Sequence, residues 1–149
     1  MYDHILMSTD GSDVAQKGLE HGLALAKSLG AKVTVVTVTE RFPAFPDSVG
    51  YAYAMSDALM TDHAAAQKEA ATAILGAAKA SADRHGVAIE TVHIPNALPA
   101  EAIIETAKAR GAKLIAMSSH GRRGLGRLML GSVTAEVLAH SDVPVLVVR

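Results

Sequence analysis

The sequence predicts an α/β fold: a five-stranded parallel open sheet with helices on both faces. Three observations carry this. Short apolar runs of strand length alternate with segments of helical spacing, in the order β-α-β-α-β-α-β-α-β, and such alternation makes the strands parallel with helices as crossovers. The apolar runs of the second, fourth and fifth strands suit strands buried on both faces. The length of 149 residues, half of them hydrophobic, suits one domain over 1–149 with a sizeable core. No internal repeat, low-complexity tract or linker interrupts it.

Each element has its own warrant. "HILMS", 4–8, is a short apolar run ending in the turn-like "TDGS", which favours a buried strand. Ser12 is placed to cap the next helix, with Asp13 in its first turn, where negative charge suits the helix dipole. Ala15, Leu19, Gly22, Leu23 and Ala26 recur at helical spacing, and Gly30 is placed to end the helix. "KVTVVTV", 32–38, is β-branched and reads as the second strand. Residues 40–60 hold Pro43, Pro46, Gly50, Phe42, Phe45, Tyr51 and Tyr53, a long connection of the kind that is often functional. An alanine-rich helix over roughly 61–85 follows, stopped by Gly86, its small side chains allowing close approach to a sheet. "VAIETVHI", 87–94, is the third strand. Pro99 suits the first position of a helix with Ala100, Ile103, Ile104 and Ala107 as its apolar stripe and Gly111 at its close. "KLIAM", 113–117, is the fourth strand, a helix containing Val133 and Val137 follows, and "VPVLVVR", 143–149, is the fifth strand.

Composition excludes several function classes. A net charge of −1 argues against a nucleic-acid binder, which would show a broad basic face. The chain has no cysteine, hence no disulfide framework and no thiolate chemistry. No apolar run approaches the ~18 residues that span a bilayer, and "MYDHILMSTD" lacks the basic start and apolar stretch of a signal peptide. The expectation is a soluble, cytoplasmic chain with no membrane partner.

In open α/β sheets ligands bind beyond the carboxyl ends of the strands, at the switch in strand order. Two segments fall at such ends: "STDGS", 8–12, and "SSHGRRGLGRLMLGSV", 118–133. If the first and fourth strands are neighbours, the two share one crevice. Glycines let the backbone approach an anion closely, and a helix start offers unpaired N–H groups with a partial positive charge. Gly131-Ser132-Val133 would supply that start, with the Ser132 hydroxyl capping the helix or bonding a phosphate oxygen. Arg122, Arg123 and Arg127 would add charge-assisted bonds, and Asp10 could accept from a ribose hydroxyl or a base. The alternative is a plain strand-to-helix loop with solvated arginines and Asp10 as a turn residue. G-x-x-x-x-G-K-S/T is absent, and Gly124-x-Gly126 is followed by Met129 where a third glycine is needed, so neither a P-loop nor the usual dinucleotide fingerprint is present.

"ILMSTDGS" and "MSSHGRRGLGRLMLGSVTAEVLAHSDVPVLVV" make the chain resemble the universal stress protein family along essentially its whole length. The family's ATP-binding branch carries G-x2-G-x9-G-S/T. Gly121, nine residues and Gly131-Ser132 match it, while the first glycine is replaced by Ser118. The resemblance implies a Rossmann-like sheet of order 3-2-1-4-5, of the adenine nucleotide alpha hydrolase type. It implies Thr9 and Asp10 near adenosine, Val38 on adenine, Met117 and Ser118 on the ribose side, and Gly121, Gly131, Ser132 and Val133 on the phosphates, beside Arg122. Serine at 118 serves only if its backbone is ordinary for an L-residue.

No catalytic constellation is legible. The seven histidines lack metal-ligand spacing; His120 alone lies in the candidate loop, as a phosphate contact, a proton donor or an exposed side chain. A divalent ion, Mg2+ or Mn2+, would be held mainly through phosphate oxygens and water. The apolar edge strand 143–149 invites pairing, and the family commonly dimerises through it, so a homodimer is expected. The functional expectation is a dimeric, ATP- or AMP-responsive regulatory module in stress response, its downstream partner unknown. A slow ATP hydrolase or phosphotransferase, and a dimeric interaction protein without nucleotide, are the alternatives.

Overall fold

A computed structural model describes residues 1–41, 57–120 and 129–149. The elements are β1 (His4–Ser8), α1 (Asp13–Leu29), β2 (Lys32–Thr39), α2 (Asp57–His85), β3 (Ile89–Pro95), α3 (Pro99–Arg110), β4 (Leu114–Ser118), α4 (Ser132–His140) and β5 (Val145–Val148). The strands form one parallel sheet of order β3-β2-β1-β4-β5, as the resemblance implied.

Alternate residues of each strand feed two core layers. Ile5, Met7, Val33, Val35, Leu114 and Ala116 pack under α1 and α2, against Leu19, Leu23, Ala78 and Ala82. Leu6, Val36, Ile115 and Met117 face the other way, against Ile103 and Ala107 of α3 and Val137 of α4. Full burial of a side chain such as Ile5, Leu6 or Leu23 is worth roughly 1.5–3 kcal/mol.

Helix α1 lies unusually close to the sheet. A Cβ on Gly18 would stand 3.2 Å from the Cβ and the backbone nitrogen of Ser118, and one on Gly22 would stand 2.9 Å from Met7 Sδ. These contacts explain two glycines inside a helix, where each costs about 1 kcal/mol relative to alanine. Helix α2 is tied to α1 through Glu20. The Glu20 carboxylate accepts from Gln16 and Ser81, each at 2.8 Å, and faces Arg84 and His85, each at 3.2 Å. Burial pushes this carboxyl up, but the Ser81 and Gln16 hydrogen bonds and the His85 and Arg84 charges outweigh it and hold it below its ordinary value.

Several boundaries differ from the sequence reading for local reasons. The third strand begins at Ile89 rather than 87 because the Val87 N–H bonds back to the Ala82 carbonyl, closing α2 over Gly86. The fifth begins at Val145 because Val143 is held in a turn by both sides of the Ser141 hydroxyl. The second helix starts at Asp57, four residues before the expected 61, so the end of the 40–60 connection is helical. The remainder of that connection, 42–56, lies outside the described residues. No helix among the described residues is long and apolar enough to cross a membrane.

Candidate functional site

The crevice opens where β1 and β4 stop pairing. Their register runs Ile5–Leu114, Leu6–Ile115 and Met7–Ala116, and ends there. Past that point β1 turns to β2, Thr9 N–H donating to the Val36 carbonyl at 3.0 Å, while β4 turns to β5, Ser119 N–H donating to the Val148 carbonyl at 2.8 Å. Two neighbouring strands that bond in opposite directions part at their carboxyl ends, which is the switch point where open α/β sheets take ligands.

On the β1 side the turn is built by its own side chains. Thr9 is buried, and its hydroxyl accepts from Gly11 N–H at 3.2 Å. The Asp10 carboxylate accepts from Ser12 N–H at 2.9 Å. Ser12 caps α1, accepting from Ala15 N–H at 3.2 Å. Gly11 has φ +78°, and a Cβ on it would meet Ile74 of α2 at 2.7 Å, so this position requires glycine on both counts. The Asp10 carboxylate thus bonds within the turn, at the carboxyl end of β1.

On the β4 side the chain leaves the sheet through Ser118, Ser119 and His120 and returns at Gly131. Ser118 has strand geometry, and Asn96 is the one non-glycine with positive φ among the described residues, so the serine sits there without strain. Its hydroxyl donates to the His120 carbonyl at 2.8 Å, and its β-carbon faces Gly18 of α1. His120 is partly buried rather than exposed, with Nδ1 2.8 Å from the Ser119 hydroxyl. Gly131 N–H closes the excursion onto the Ser119 carbonyl at 2.7 Å.

Ser132 does not cap α4, contrary to one sequence expectation. Gly131 holds the cap position, with φ −60° and ψ 150°, and makes no side-chain cap bond. Glycine is thus not needed there for its dihedrals, which any L-residue adopts. The first intrahelical bond runs from Ala135 N–H to the Gly131 carbonyl at 2.9 Å. The N–H groups of Ser132, Val133 and Thr134 consequently have no intrahelical acceptor, and no acidic residue occupies the first turn. Such an end carries a partial positive charge and donors suited to an anion.

Of the expected site residues, the structure gathers Thr9, Asp10, Met117, Ser118, Gly131, Ser132 and Val133 at this end of the sheet, with Val38 one strand away on β2. Met117 is buried among Ile115 and Val137, so its main chain is what it presents. Gly121, Arg122, Arg123 and Arg127 lie outside the described residues. Sequence reasoning missed Thr134, whose hydroxyl donates to the Ser118 carbonyl at 2.9 Å, and the double role of Ser119. A hydroxyl residue two positions after Gly131-Ser132 was the available signal.

Elsewhere, a hollow of about 520 Å³ lies at the opposite strand ends, walled by Lys27, Lys32, Gly86 and Glu90 among others. In its wall the partly buried His4 Nε2 and the buried Thr34 Oγ1 bond to each other at 2.9 Å. Among the described residues no cluster of three or more His, Asp or Glu side chains is arranged to hold a metal.

A sequence model of the universal stress protein family matches residues 1–149. Universal stress protein MJ0531 of Methanocaldococcus jannaschii is 34% identical over 149 residues, covering 100% of this chain and 83% of its own length. Universal stress protein YxiE of Bacillus subtilis is 33% identical over 100% of both chains. The solved structure of protein MJ0577 superposes with a TM-score of 0.81 at 27% identity, over 99% of this chain and 96% of that one. A universal stress protein solved in complex with cAMP does so with a TM-score of 0.68 at 27% identity, over 99% and 97%. Sheet order, the parting of β1 from β4 and full-length similarity agree, and the chain belongs to the universal stress protein family.

Proposed function

We propose that the protein binds an adenine nucleotide, ATP or AMP, in the crevice between β1 and β4 and works as a nucleotide-responsive regulatory module. The observation that carries this is the start of α4: three N–H groups without intrahelical acceptors, behind a glycine cap, where the two strands part. The similar protein solved with cAMP supports an adenine nucleotide as the ligand class.

In this reading Gly131, Ser132 and Val133 hold the phosphates, with Gly121 and Arg122 on the same stretch. Thr9, Asp10 and Val38 stand beside the adenosine, and the main chain of Met117 and Ser118 lies along the ribose. The Ser118 hydroxyl is engaged by the His120 carbonyl, which leaves the residue's backbone to serve where the family pattern has glycine. A divalent ion, Mg2+ or Mn2+, would be held through phosphate oxygens and water.

The chain acts as one domain and pairs with a second copy through the 143–149 edge. Val145, Leu146, Val147 and Val148 are all only half-buried at the sheet edge, and Leu138 of the adjoining α4 is exposed. A bare apolar edge of this kind favours strand addition.

Calorimetric titration of ATP with magnesium into the wild type and Gly131→Val tests the reading. Binding in the wild type that disappears in the folded variant is expected, because a branched side chain at the cap would block close approach of a phosphate to the backbone. No wild-type binding at millimolar ATP would overturn it. Light scattering at micromolar protein tests the homodimer, and a monomer would contradict it.

A further inference from the structure

We infer that Thr134 is a positioning residue of the crevice: its hydroxyl sets where the first turn of α4 stands against the end of β4, and so sets the fit to the phosphate end of the ligand. The inference rests on the nucleotide reading above and adds a residue that acts through β4.

The reason lies in the parting of the strands. Ile115 N–H donates to Pro144 at 2.9 Å and Ser119 N–H to Val148 at 2.8 Å, so this set of alternate β4 residues bonds toward β5. Ser118 belongs to the other set and faces β1, but β1 pairing has ended at Met7–Ala116. Its carbonyl is therefore left without a strand donor in a buried place, which costs roughly 1–3 kcal/mol if uncompensated. Thr134 compensates it. The hydroxyl donates to that carbonyl at 2.9 Å, with Thr134 only 3% exposed.

Thr134 is the third residue of α4, and its own N–H is among those lacking an intrahelical acceptor. One residue thus faces two ways, its side chain toward the sheet and its main chain toward the crevice. The second tie is Gly131 N–H on the next carbonyl, that of Ser119, at 2.7 Å. Two successive β4 carbonyls hold two points of one helical turn, which fixes its position and its tilt. Donors fixed in place before binding lose less on binding, and that gain falls on the phosphates rather than on the base.

The test is the affinity of AMP and of adenosine for the wild type, Thr134→Val and Thr134→Ser, with a thermal melt of each. Thr134→Val, matched in shape but unable to donate, should weaken AMP about tenfold, or about 1.4 kcal/mol, and leave adenosine within about twofold by the same scale. Thr134→Ser should keep the wild-type ratio of AMP to adenosine affinity. Wild-type AMP affinity in Thr134→Val, or equal loss of AMP and adenosine, would overturn the inference. If Thr134→Val does not fold, Thr134→Ser decides alone, and an altered ratio in it would overturn the inference. A wild type that binds neither ligand contradicts the nucleotide reading itself, and the role of Thr134 falls with it.

Discussion

Helix α1 follows β1 after residues 9–12 only, whereas α4 follows β4 after the long excursion 119–131. Both helices begin at the same end of the sheet, on either side of the crevice. In the first, Ser12 accepts from Ala15 N–H, Asp13 occupies the first turn, and the Thr9 and Asp10 side chains take up the N–H groups of Gly11 and Ser12. In the second, the cap is a glycine without a side-chain bond, and the first turn holds no acid. The short turn supplies side-chain acceptors for the N–H groups of Gly11, Ser12 and Ala15 from within itself. The long one gives Ser132, Val133 and Thr134 N–H no intrahelical or cap acceptor among the described residues, which suits an anion. On the proposed reading, a helix start becomes a binding site here through what its cap residue omits.

The comparison breaks most sharply if α4 is given the cap that α1 has. Gly131→Asp is compatible with the extended cap geometry, and its carboxylate would take the donors that a phosphate needs. Like charges so close cost several kcal/mol, so ATP affinity should fall by at least about a hundredfold. The thermal midpoint should hold or rise, since a capping acid gains a few tenths of a kcal/mol over glycine and suits the dipole.

The reverse change, Ser12→Ala, removes the cap of α1. It should cost about 1 kcal/mol and lower the midpoint by about 3 °C. ATP affinity, read by calorimetry, should stay within about twofold on the same energy scale. Lost ATP binding with unchanged stability would move the phosphate site to α1.

Ser118→Gly restores the family's first glycine and should do least. Ser118 already has strand geometry, and its hydroxyl is bonded to the His120 carbonyl. ATP affinity should change less than about threefold, with stability lower by roughly 0.5–1 kcal/mol from the added backbone freedom. A gain of tenfold or more would show that the serine β-carbon stands against the ribose.

The two regions also differ in how much of them could be read from sequence. The β1–α1 turn is local: Ser12, Asp13 and the spacing from Ala15 to Ala26 announce the cap and the buried stripe, and the structure has both. The closing glycines 30, 86 and 111 all take the left-handed geometry that ends a helix. At α4 the glycine and the helix start were legible, but the cap went to Gly131 instead of Ser132, because a serine's capping hydroxyl does not reveal which of two adjacent residues will be extended. The roles of Thr134 and Ser119 were harder to read for a further reason. Their partners, Ser118 and Val148, lie far away in sequence, and their bonds arise only where β1 and β4 part. That parting depends on strand order, which periodicity does not encode and which the family resemblance implied.

The most direct test is the wild type titrated in turn with adenosine, AMP and ATP under one buffer with magnesium. If the start of α4 takes the phosphates, affinity climbs from adenosine to the phosphorylated ligands, and Gly131→Asp abolishes the climb. Adenosine binding as tightly as ATP, or a climb that survives Gly131→Asp, would contradict the account.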